Sequence, residues 1–169
     1  MSRESCLFRE TQWNTVKWVW ALLAGIAAIM WYGFYVQIIG GEPFGTNPAS
    51  DNMMIVFTIV FGALFPVFML YLHLVTEVCE DGLKIRMSPL WGRTIPYDAI
   101  SSYEPRTYNA LREFGGWGIR LGWNGKAYNM SGKEGIQLTL SSGERILVGT
   151  HRPEELYKAL QGAMGDAAC

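Results

Sequence analysis

Residues 18–41, WVWALLAGIAAIMWYGFYVQIIGG, and residues 52–76, NMMIVFTIVFGALFPVFMLYLHLVT, contain no Asp, Glu, Lys or Arg. Each run exceeds the roughly 20 residues an α-helix needs to cross a ~30 Å hydrocarbon core. A helix also satisfies its own backbone polar groups, which lipid cannot do. The pattern predicts a membrane α-helical hairpin over residues 18–76, its two helices at about 18–40 and 53–76. Gly62 and Pro66 fall inside the second helix, where proline removes a ladder bond and favours a kink. The first run is longer than the ~7–15 residues of a signal-peptide core, and QIIG at 37–40 offers no small-x-small cleavage site. It reads as a retained anchor.

Orientation follows from the cations. Three of the 14 Lys and Arg precede the first run, none lies in the 42–51 turn and eleven follow the second run. The positive-inside bias therefore predicts an inner-membrane protein with both termini in the cytoplasm. Trp13, Trp18 and Trp20 would mark that interface, and Trp31, Tyr32, Phe34 and Tyr35 the opposite one. The segment from Glu77 onward holds as many acids as bases, so a nucleic-acid partner, which needs a basic excess, is not expected. Cys6, Cys79 and Cys169 are odd in number and lack CxxC spacing. In a reducing compartment they predict neither a disulfide framework nor a zinc site.

Outside the apolar runs the chain divides into a polar arm at 1–17, a folded domain at 77–164 and a tail at 165–169. The domain reads as about seven short strands. Turn signals at 80–82 (EDG), 97–99 (YDA), 122–125 (GWNG) and 141–143 (SSG) separate the β-prone stretches. Pro153 then stands at a first helical position with Glu154 and Glu155 in the first turn. Leu156, Ala159, Leu160, Ala163 and Met164 give that helix one apolar face.

Short strands followed by a final helix resemble the pleckstrin-homology-like (PH-like) barrel. The block REFGGWGIR at 112–120 resembles a motif of small two-helix bacterial membrane proteins of unknown function. AYNMSG at 127–132, GIQL at 135–138 and GTHRPEEL at 149–156 extend the likeness. The resemblance implies a membrane hairpin followed by a small α+β PH-like β-barrel with a C-terminal capping helix. A similar domain is appended to membrane helices in a photosynthetic-complex assembly protein. The family has no established activity, so the likeness carries an expectation of fold and layout only.

Candidate chemistry is sparse. The glycines of 115–135 miss the dinucleotide fingerprint by one position, and no βαβ unit surrounds them. No carboxylate lies within either apolar run to mark an ion pathway, and no GxSxG elbow occurs. His73 has the chemistry of a metal ligand, but Met69 stands where light-harvesting helices commonly carry alanine. An interfacial, hydrogen-bonded histidine is the simpler expectation, and neither a cofactor nor a metal is expected.

Two features suggest binding. Ala21, Ala24, Gly25 and Ala28 recur at helical spacing and make a smooth stripe, suited either to the second helix or to another membrane protein. Residues 105–133 carry five cations against Glu113 alone, interleaved with aromatics. Arg112, Trp117, Arg120, Trp123 and Lys126 are the interaction candidates there. The sequence thus predicts a non-enzymatic interaction or scaffold module, an accessory or assembly subunit of a photosynthetic or other bioenergetic membrane complex. Its expected partners are other membrane subunits and the bilayer. The alternative is a sensor of anionic lipid or envelope stress.

Overall fold

A computed structural model describes residues 6–122 and 125–166. The described chain forms two units, Val16–Tyr71 and, discontinuously, Met1–Thr15 with Leu72–Cys169. The polar arm is therefore not separate from the folded domain. Cys6–Trp13 is a strand, β1, running antiparallel to β2 at His73–Cys79. The helices are inserted between β1 and β2 rather than placed ahead of the sheets.

The inserted unit consists of two long apolar helical segments, α1 at Lys17–Ile39 and α2 at Asp51–Tyr71. Ser50 caps α2, its side chain accepting from Met53 N, as helix N-termini favour. Gln37, nearly buried, closes the connection by donating to Ala49 O at 2.7 Å and to Asp51 Oδ1 at 2.8 Å. Wide π-type turns occupy Tyr35–Ile39 and Val60–Leu64. The second lies just before Pro66, which has no N–H for the carbonyl four residues back, Gly62 O. The Trp31 indole supplies the missing donor, at 3.1 Å. Thr58 Oγ1 adds a second tie, donating to Met54 O at 2.8 Å and reaching Met30 O at 3.2 Å.

Among the described residues, the sheet unit contains nine strands in two separate sheets. The first has the order β1–β2–β3–β4, with β3 at Gly82–Ser88 and β4 at Trp91–Ile95. The second has the order β5–β8–β9–β7–β6. Its strands are β5 (Ile100–Thr107), β6 (Gly118–Gly122), β7 (Gly125–Asn129), β8 (Glu134–Leu140) and β9 (Arg145–Gly149). Neither sheet closes on itself. The expected PH-like barrel is therefore corrected to an open, two-sheet α+β fold. The turn at 80–82 is present, and Gly82 is required there. Its φ is +139°, and an added Cβ would lie 2.5 Å from Ile95 O.

Period-2 alternation builds the core. Leu74 and Val78 of β2, Leu83, Ile85 and Met87 of β3, and Ile95 of β4 point one way. They meet Ile136, Leu138, Ile146 and Val148 of the second sheet. A helix, α3, spans Ala110–Phe114, and the C-terminal helix, α4, spans Pro153–Asp166. Arg152 O accepts the first α4 bond from Leu156 N, and Thr150 Oγ1 accepts from Arg152 N. Leu156 and Leu160 of α4 are fully buried in the same core, each burial worth about 1.5–3 kcal/mol. A smaller cluster of Tyr108, Ala110, Phe114, Ala127 and Leu147, backed by Trp117, covers the other face of the second sheet. β7 and β9 pair in parallel beneath it, the arrangement that needs both faces covered.

The inner face of β1 carries Phe8, Glu10 and Gln12, all buried. Glu10 accepts from Thr150 Oγ1 and, at 2.9 Å, from His151 N; Gln12 Nε2 donates to Gly149 O at 2.7 Å. The strand is held by polar anchors as much as by apolar packing. The expectation of unpaired cysteines is also corrected, because Cys6 and Cys79 face each other across β1 and β2 as a disulfide.

Candidate functional site

Every candidate residue of the small-residue stripe lies on the helical unit's surface. Ala21, Gly25 and Ala28 are exposed, and a Cβ added to Gly25 would meet nothing within 4 Å. The stripe therefore does not line the contact between α1 and α2. Gly33 does, because a Cβ there would lie 2.9 Å from Phe44 and 3.3 Å from Met54. An exposed stripe of small residues is suited to close backbone approach.

The basic-aromatic candidates sit around α3 and the β6–β7 hairpin. Asn109 caps α3, its Oδ1 accepting from Arg112 N at 3.1 Å, while Glu113 Oε1 accepts from Asn109 N at 2.8 Å. This reciprocal arrangement satisfies two otherwise orphaned donors. Arg112 projects from α3 into solvent. Trp117 is half-buried against the smaller apolar cluster. Arg120 Nε donates to Trp117 O at 2.9 Å, which holds an exposed guanidinium beside the indole's own backbone. Trp123 lies outside the described residues. Tyr108 and Trp117 line one cavity of about 500 Å³ together with Leu111, Glu113 and Lys133. Burial, aided by the nearby Glu113 charge, pushes the Tyr108 phenol up to about 12. It stays neutral at physiological pH.

The five cations do not act as one patch. Arg106 is bound to Glu113 and donates to Gln137 Oε1 at 3.0 Å. Lys126 Nζ lies 2.8 Å from Glu144 Oε1, and Arg93 pairs with the same carboxylate at 3.1 Å. The Arg93 and Lys126 hydrogen bonds hold Glu144 down at about 2, well below the usual carboxylate range. Lys126 is thus committed to a structural pair. Arg112, Arg120 and Lys133 remain exposed, beside Leu111, Ile119 and Leu121, which are exposed too. The surface is mixed apolar and basic.

A groove of about 760 Å³ on the outer face of the first sheet had no signature in the sequence. Strand register gathers its residues. Arg9 opposes Glu77, which opposes Lys84, and Arg86 projects from the same face of β3. Arg9 and Arg86 both hold the nearly buried Glu77 carboxylate, at 3.3 and 2.9 Å. His73 begins β2 and stacks on Trp13 with centroids 4.6 Å apart. It does not belong to the second helix, whose expected end at residue 76 moves back to Tyr71.

Ser131 Oγ lies 2.9 Å from His151 Nε2. Nucleophilic catalysis would need a third group orienting the imidazole and an accessible oxygen. Glu10 instead takes the His151 backbone N–H, and Ser131 is buried with its hydroxyl also reaching Trp13 O. The pair ties the loops after β7 and β9 to the end of β1. Among the described residues no group of three His, Cys, Asp or Glu side chains is placed to hold a metal.

The described residues define a two-sheet α+β protein interrupted by a pair of long apolar helices. Residues 2–167 match the Family of unknown function (DUF6141), and the chain belongs to that family. No curated protein matches the chain.

Proposed function

We propose that this protein is a membrane-anchored, non-enzymatic interaction module of a two-span bacterial membrane protein, an accessory or assembly subunit of a larger membrane complex. One observation carries the reading. α1 and α2 reach mean hydropathies of 1.8 and 2.5 over their spanning windows, yet only 17% and 11% of those windows are buried within the chain. A soluble core helix of that hydropathy would be mostly covered. Here Leu22, Ile29, Val56, Ile59, Leu64 and Leu70 are all exposed. Lipid, a partner helix or both must cover them.

Two spans return the chain to the side it left, so β1 and the strands after α2 can form their sheet in one compartment. The 3, 0 and 11 distribution of Lys and Arg favours the cytoplasmic side. Confinement to one membrane face raises the effective concentration of the sheet unit for its partner, so a modest interface suffices. The exposed Ala21, Gly25 and Ala28 stripe suits a partner helix, and the surface around Arg112, Trp117 and Arg120 suits a partner domain. A photosynthetic or other bioenergetic complex is the narrower version of this reading. Lipid sensing by residues 105–133 is weakened by the pairing of Arg106 and Lys126 with carboxylates.

The test is fractionation followed by gentle detergent purification. The chain should stay with carbonate-washed membranes and bring membrane subunits with it, and Gly25→Leu should reduce their recovery. Release by carbonate would refute the anchor. Recovery without companions, combined with salt-sensitive flotation on anionic vesicles, would favour the lipid sensor.

A further inference from the structure

The disulfide opens onto the outer groove of the first sheet. Cys6, Arg9, Glu77, Cys79, Lys84 and Arg86 all line it. The two sulfurs are unequally placed, since Cys6 is exposed on the edge strand β1 whereas Cys79 is only 2% exposed between β1 and β3. An external thiolate therefore reaches the Cys6 sulfur first. Four basic side chains, Arg9, Lys84, Arg86 and Arg93, line the groove with Glu77, while Asp81 and Glu144 pair with Lys84 and Arg93 from its rim, leaving an excess of one cation. A cationic surround favours both an incoming anion and a departing thiolate.

We propose that Cys6–Cys79 is a thiol–disulfide exchange site for small carboxylate-bearing thiols. The incoming thiolate attacks Cys6 Sγ. A bond forms between that sulfur and Cys6 as the Cys6–Cys79 bond breaks, and Cys79 leaves with the electron pair as a thiolate. A second thiolate then attacks the small molecule's sulfur in the mixed disulfide. It releases the oxidised small-molecule disulfide and a Cys6 thiolate, so two electrons enter the protein pair. The reverse sequence, with the small-molecule disulfide as oxidant, closes the bond again. Disulfides facing a reducing compartment are characteristically transient and redox-responsive, so this chemistry fits a cytoplasmic sheet unit. It rests on the cytoplasmic placement proposed above and not on the identity of any binding partner.

The test uses the full chain in detergent with Cys169→Ser, leaving only the pair. Reduced glutathione and the cationic thiol cysteamine are compared at equal thiolate concentration, with acid quenching and peptide mass spectrometry. Expected are a glutathione adduct on Cys6 and an exchange rate about tenfold above that of cysteamine. That preference should collapse at high ionic strength. Arg9→Gln should also reduce it, while the salt series in the unmutated groove reports on charge without any risk to folding. An adduct on Cys79, equal rates for the two thiols, or a bond that resists millimolar glutathione would each overturn the proposal.

Discussion

The bond from Trp31 Nε1 to Gly62 O can be tested as a repair of the ladder gap at Pro66. Trp31→Phe keeps an aromatic ring but removes the donor, leaving the Gly62 carbonyl with no replacement from Pro66. Polar ties between helices in apolar surroundings contribute about 0.6–2 kcal/mol. A loss of about 1 kcal/mol is expected, about fivefold in the folding equilibrium constant. Gly62→Ala should act similarly, since its Cβ would sit 3.1 Å from the indole nitrogen. The decisive measurement is a double-mutant cycle with Pro66→Ala, followed by circular dichroism during denaturant titration in detergent. Alanine restores an N–H in the position to reach Gly62 O, so Trp31→Phe should cost much less in that background. Additive effects of the two substitutions would refute the reasoning.

Other substitutions probe the sheet unit. Leu160→Ala removes a fully buried side chain from the contact between α4 and the core, and urea titration should show a loss of about 2–5 kcal/mol. Gly82→Ala should cost about 1–3 kcal/mol or more through backbone strain and the contact with Ile95 O. Gly143→Ala, also at positive φ (+84°) but with open space around its Cβ, should cost less in the same titration. Glu144 is held below its ordinary value, so its contribution is present above about pH 4.5 and fades as pH falls towards about 2. Glu144→Gln should therefore lower stability by about 1 kcal/mol at neutral pH. The gap from the parent protein should vanish in acid, as read from denaturation midpoints across pH.

The apolar runs and the C-terminal helix were legible because their signals are local. Absence of charge over more than 20 residues and the Pro153 start each need only a short window of sequence. β1 was not legible, for two reasons. Its inward positions are Phe8, Glu10 and Gln12 while Leu7 and Trp13 point outward, so hydrophobic alternation is inverted. Its partner β2 is also some 70 residues away, beyond any periodicity rule. The same gap hid the cysteine pair and the groove, both of which exist only through β1–β2 register. The end of α2 was misplaced because LHLVT continues the apolar run into a buried strand. Composition alone cannot separate the two. The barrel expectation failed at the level of closure, which strand count and turn spacing leave undetermined. Among the candidate site residues, Arg120 donates to the backbone carbonyl of Trp117, a contact set by the local turn. Lys126 was not available, because its partner Glu144 lies on a different turn of the chain.

Insertion of α1 and α2 between two adjacent strands orders the events of biosynthesis. The ribosome delivers β1 first, and that segment has no mate until both apolar helices and β2 have emerged. It must wait as an incomplete edge while the intervening chain finds its place. The register pair Trp13 and His73 also shows how the interruption can be undone. Replacing residues 16–71 with a short turn would convert β1 and β2 into an ordinary hairpin and keep all nine described strands.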